Sequence, residues 1–229
     1  MKTKMKLKIG IDVGMTIVLL FLMAYQITEN VLHEWLGTGM LILFFVHNFL
    51  NIHWYRNLFK GKYGGLRIIQ TVINLAVLVS MFCLAYSGIV MSRHVFVLLD
   101  FHKGMTVARV MHLSASYWGF VLMSIHMGNH FGMIIGMIRQ VVSKKIPISM
   151  ICFLRFQAIA IAVYGAIVFW RNDVLSYMFL QKEFAFFDYE KGAVLVVVEN
   201  MAMMGMWMFV AYYVTKVIKK LKRNMKGNF

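Results

Sequence analysis

The sequence predicts an all-α fold, a polytopic membrane helical bundle of six transmembrane helices with both termini in the cytoplasm. Three observations predict it. Of the 229 residues, 61% are hydrophobic and only 14% are charged, with a single proline, a balance that excludes an ordinary soluble globule. Six apolar runs are each long enough to cross a ~30 Å hydrocarbon core at ~1.5 Å rise per residue. Lysine and arginine gather on alternate flanks of those runs.

The runs extend over Ile9–Ile27, Val31–Tyr55, Leu66–Met91, Val107–Ile138, Ser149–Trp170 and Ala193–Ile218. The first follows Lys2, Lys4, Lys6 and Lys8, which would suit a signal peptide, but no small-residue cleavage site follows, so it reads as a retained span. The second and fourth carry three histidines each, and the sixth carries Glu199 and Asn200 about two turns from its outer end. No polar stretch between runs is long enough to build a separate domain, so residues 1–229 read as one transmembrane domain. Within it, a core over about 9–140 is followed by two further spans over about 149–218.

Of the 24 basic residues, 18 lie on the flanks shared with both termini, and Asp12 is the only one of nine acids near that side. The positive-inside rule therefore puts the termini in the cytoplasm of a plasma (inner) membrane protein. The net charge of +15 does not point to nucleic acid, because the apolar background assigns those residues to membrane orientation. Cys83 and Cys152 lie in apolar runs and read as small buried hydrophobes, not a disulfide. Two outer connections, His94–Met105 and Asn172–Lys191, are unusually apolar and read as interfacial segments, or as covers over an outer pocket.

The histidines are the informative residues, because an imidazole in hydrocarbon is costly unless something binds it. His33 and His47 are 14 residues apart on the second run, and His112 and His126 are 14 apart on the fourth. At ~100° per residue that interval falls roughly 40° short of four turns, so each pair shares a helix face, about 21 Å apart along the axis. Both runs cross in the same direction, which predicts pairing of His33 with His112 near the outer ends and His47 with His126 near the middle. Two imidazoles from facing helices at each level suit six-coordinate iron, hence two haem b groups in a four-helix core.

Five whole turns separate His130 from His112, so His130 is an alternative inner ligand or a propionate partner. His53 lies about 120° off the ligand face, near the cytoplasmic interface, and reads as interfacial or as proton- or quinone-related. Gly37, Gly39 and Gly119 leave room for a macrocycle, as do Gly128 and Gly132 at the second level, although ordinary helix contacts use the same residues. Arg93, Lys103 and Arg109 are candidate outer propionate partners, and Arg56, Lys60 and Arg67 inner ones. His94 and His102 read as solvated. Glu199 is a candidate for proton or quinone chemistry or for a hydrated structural role, and the methionines of Met201–Met208 read as apolar filler.

These residues resemble the two-haem cytochrome b superfamily, which includes the membrane cytochromes b and ferric reductase-like transmembrane domains. The segments HEWLG (His33–Gly37), HNFLNIHWYRNLFKGKY (His47–Tyr63), ARVMH (Ala108–His112) and SYWGFVLMSIHMGNH (Ser116–His130) look closer still to a small bacterial branch of it. The resemblance covers roughly Asp12 to His130. It implies transmembrane electron transfer through stacked haems. The chain shows no flavin or nicotinamide domain, so a redox partner protein or a quinone must exchange electrons with it. It reads as an electron-transfer membrane subunit of an oxidoreductase, not a stand-alone enzyme. Two alternatives use the same residues: a histidine-based metal-ion or proton transporter, and a non-catalytic membrane anchor subunit.

Overall fold

The computed structural model describes residues 3–99, 104–141 and 147–227, which fold into helices with no strand among them. In chain order these are α1 (Thr3–Met23), α2 (Tyr25–Leu50), α3 (Ile52–Arg56), α4 (Gly65–Met91), a 3-10 turn at Val97–Leu99, α5 (Met105–Val141), α6 (Ile148–Arg171), α7 (Val174–Met178) and α8 (Ala193–Gly227). Four of them are long and apolar enough to cross a membrane: α4, α5 over Met105–Met137, α6, and α8 over Ala193–Asn224. Their surfaces carry exposed Val72 and Phe82, Phe156 and Ile167, and Val214 and Val217, side chains that suit lipid contact rather than water. The expected first and second spans correspond to α1 and α2. These have 21 and 26 residues, but carry Lys4, Lys6, Lys8 and Asp12, and Glu29 and Glu34.

Two boundaries carry information. Within α2, Glu29 has φ 51° and ψ −167°, a conformation that costs a non-glycine residue about 1–3 kcal/mol, and the helix kinks there. The unkinked part begins next to Val31, where the apolar run starts. At its other end α2 stops at Leu50, whereas the apolar run continues to Tyr55. Asn51 breaks it: its side-chain Nδ2–H donates to the His47 carbonyl at 2.9 Å, competing for a backbone acceptor as asparagine does at helix ends. His53 therefore lies on the separate α3, exposed, so its predicted angle to the other histidines no longer applies. By contrast α6 starts immediately after Pro147, whose fixed φ suits a helix entrance.

The chain divides into two compact units. One comprises Met1–Lys62, Val79–Trp118 and Ser176–Asn200; the other comprises Tyr63–Leu78, Gly119–Leu175 and Met201–Phe229. In the first, α1 packs along α2. In the second, α8 packs on α5 and α6 through small residues. A methyl group added at Gly165 would lie 2.2 Å from the Ala202 carbonyl oxygen, and one at Gly128 would lie 2.5 Å from that of Met208. Glycine is required at both because the backbones touch.

Candidate functional site

In the first unit, α2 and α5 bring His33 and His112 together, with ring centroids 6.1 Å apart and ring planes at 66°. Metal–imidazole bonds of about 2.0 Å place two rings sharing one metal at roughly this centroid separation. The tautomer of His112 follows from its neighbour. Ser87, fully buried on α4, donates its hydroxyl hydrogen to the Cys83 carbonyl at 2.6 Å. Its oxygen is 3.0 Å from His112 Nδ1 and must accept there, so Nδ1 carries the proton and Nε2 the lone pair. His33 differs: its Nδ1 is buried with no hydrogen-bond partner. An orphaned ring nitrogen inside a bundle is a cost that a bound group would remove. The Tyr25 and His33 rings meet edge-on at 5.1 Å, and Tyr25 also stacks on Phe187, again at 5.1 Å.

Glu34, next to His33, fixes this level. Its carboxylate accepts from the Ser92 hydroxyl at 2.7 Å and from the backbone N–H groups of Arg93, His94 and Val95 at 2.9, 2.9 and 3.2 Å. One side chain on α2 thus holds the segment that leaves α4, the helix that orients His112. The connection between α6 and α8 is clamped to α5 as well. The Met178 carbonyl accepts from Ser114 Oγ at 3.1 Å and Trp118 Nε1 at 2.9 Å, while Tyr117 stacks on Tyr177 at 4.9 Å. Buried Glu199 pairs with Lys191 at 3.0 Å, which gives that carboxylate a structural partner.

Gly37 and Gly39, following His33 on α2, face open space: an added methyl group at either meets nothing within 4 Å. Arg93 and Arg109 are exposed, and Gly119 is buried in α5. His102 and Lys103 lie outside the described residues.

At the far end of α2, His47 Nδ1 donates to the Asp12 carboxylate of α1 at 2.7 Å. One turn away on both helices, Lys8 donates to Asn51 Oδ1 at 2.7 Å, so α1 and α2 are joined by two matched rungs. A carboxylate can only accept, so Nδ1 of His47 carries a hydrogen, and Nε2 lies 3.5 Å from Asn51 Nδ2. In the second unit, His126 Nδ1 meets Asn74 Oδ1 of α4 at 2.8 Å, and the His130 ring lies 5.0 Å from that of His126. There Gly128 serves the contact with α8, not a cofactor.

Three of the four predicted ligands therefore have Nδ1 directed at an acceptor on another helix, the arrangement that orients imidazole ligands of metals. Sequence reasoning missed those acceptors. Asp12 was visible as the lone acid among basic residues, and Asn74 as an amide inside an apolar run, but Ser87 gave no signal. Among the described residues, no three His, Cys, Asp or Glu side chains gather as ligands for a bare metal ion. The donor set at His33 and His112 is two imidazoles, the number a macrocycle-bound iron accepts. No family model, curated protein or solved structure matches this chain.

Proposed function

We propose that the chain is a b-type dihaem membrane cytochrome, with six spans and cytoplasmic termini, that passes electrons across the bilayer. The observation that carries the reading is the imidazole pair His33–His112 at 6.1 Å, with His112 held in the tautomer that presents Nε2. The open space at Gly37, one turn after His33 on the same helix face, accommodates a ring system beside it. When bound, haem supplies one-electron chemistry, and the protein supplies ligands, orientation and a low-dielectric sheath.

In this reading His33 and His112 hold one haem, and His47 in the first unit and His126 in the second, with His130 beside it, are the remaining candidate ligands. Ser87, Asp12 and Asn74 fix ring orientation, Glu34 keeps α2 in register with the end of α4, and the clamped outer connection limits water access. Arg93 and Arg109 are the outer propionate partners. Electrons come from or go to a partner protein or a membrane quinone.

Purified protein is expected to contain two haems b per chain and to show their bands in a reduced-minus-oxidised spectrum. His112→Ala should remove half of that absorbance. A preparation without haem sinks the proposal.

One observation favours a second reading, a proton or metal-ion transporter: the carboxylate of Asp12 lies against the imidazole of His47, as an ion pathway would need. The haem count separates the two, since a transporter of this kind contains none.

A further inference from the structure

We infer that the cleft at the kink of α2, where Thr28 and Glu29 lie beside His94, binds the primary-ammonium headgroup of a phospholipid; this rests on the six-span reading above, not on haem. The cleft encloses about 450 Å³ and lies wholly within the first unit. Thr28 is 3% exposed, yet its Oγ1 has no hydrogen-bond partner. A helical threonine can donate to the carbonyl one turn back. Here that carbonyl, of Ala24, already accepts from the backbone N–H groups of Ile27 and Thr28 at 2.9 and 3.2 Å. A buried hydroxyl left alone is a cost that a bound acceptor would remove. Glu29 adds strain at the same place, since φ 51° and ψ −167° form a conformation suited to glycine. Such strain persists only where the surroundings hold it. They do: the Tyr25 hydroxyl donates to Asn30 Oδ1, and Gln26 Nε2 donates to the Asp188 carbonyl at 3.1 Å.

The lining selects the class of ligand. Glu29 is the one carboxylate among the described lining residues, and no lysine or arginine joins it there, so this end favours a cation with N–H donors. The Thr28 hydroxyl and the His94 ring N–H are donors, which suit a phosphate oxygen. An ammonium and a phosphate joined by a short chain make a zwitterionic lipid head. The rest of the cleft is apolar: Val31, Leu32 and Trp35 are exposed and spaced for one helix face. They begin where the apolar run of α2 begins, so the polar end meets headgroups and this wall meets acyl chains. An indole at that level is a common interfacial anchor.

The test is the lipid selectivity of the purified full chain in detergent, read as the rise in thermal midpoint on adding lipid, because a ligand of the folded state stabilises it. Phosphatidylethanolamine should raise the midpoint. Phosphatidylcholine, equally zwitterionic but without N–H donors, should need roughly tenfold more for the same rise. Glu29→Gln should abolish that preference. Thr28→Val should weaken the response to phosphatidylethanolamine roughly tenfold while leaving the lipid-free midpoint at or above that of wild type, because it deletes an unpartnered hydroxyl. Equal responses to the two lipids, an undiminished preference in Glu29→Gln, or a lowered lipid-free midpoint in Thr28→Val each overturn the inference. Soluble phosphoethanolamine separates a lipid from a free amine: an equal rise at equal concentration overturns the lipid assignment. If Glu29→Gln fails to fold, Glu29→Gly, which suits the backbone there, decides by the same criterion. The span is read apart, in vesicles and in a background without Cys83 and Cys152. A water-soluble maleimide that labels Gly39→Cys, midway along α2, defeats the six-span reading whatever the lipid preference.

Discussion

Gly37 and Gly39 in the first unit face open space, whereas Gly128 and Gly165 in the second are filled by the backbone of α8. The same residue type on apolar helices leaves room at one position and closes a helix contact at another. Small residues in a membrane sequence therefore do not separate a cofactor pocket from a helix crossing; the neighbouring backbone does. The histidines divide similarly. The first unit pairs His33 with His112 across two helices, while the second holds His126 and His130 one turn apart on a single helix.

Substitutions can break this contrast, beginning with the largest effect. Gly165→Leu should destabilise the fold by about 3 kcal/mol, since a side chain there meets a carbonyl oxygen that cannot retreat without moving α8. Thermal unfolding in detergent measures it, and a wild-type midpoint would refute the packing account. Gly37→Leu should change stability by no more than about 0.5 kcal/mol, having nothing to clash with, yet lower haem from two to one per chain. Undiminished haem in that variant would mean that the space beside His33 is not a binding space.

Smaller effects sharpen the description of the His33–His112 level. Glu34→Ala leaves the Ser92 hydroxyl and three backbone N–H groups without their acceptor and should cost about 2 kcal/mol in chemical denaturation. Glu34→Gln, which keeps one acceptor oxygen, should recover part of that loss; equal losses would mean that the hydrogen bonds are not the reason. Ser87→Ala removes only the anchor of His112 and should weaken haem retention roughly tenfold without moving the unfolding midpoint. Haem transfer to a scavenger protein reads that rate, and an unchanged rate would show that His112 is oriented by packing alone.

What the sequence by itself determined is the helical layout. Apolar length and the absence of proline from all six runs foretold α4, α5 and α6 to within a few residues and the start of α8, because a segment in lipid must satisfy its backbone internally. The 14-residue interval singled out His33 and His112, because helical rotation is a property of the chain alone. Tertiary structure decided everything that depends on a neighbour. The break at Asn51 removed His53 from the helix of His33 and His47, since an amide can take a carbonyl from the backbone only where its rotamer reaches one. Asp12, Ser87 and Asn74 became acceptors for His47, His112 and His126 through contacts between residues 25 to 52 positions apart. Hydrophobic periodicity records which face of a helix is apolar, but a hydrogen bond across helices depends on register and rotation that no single helix encodes.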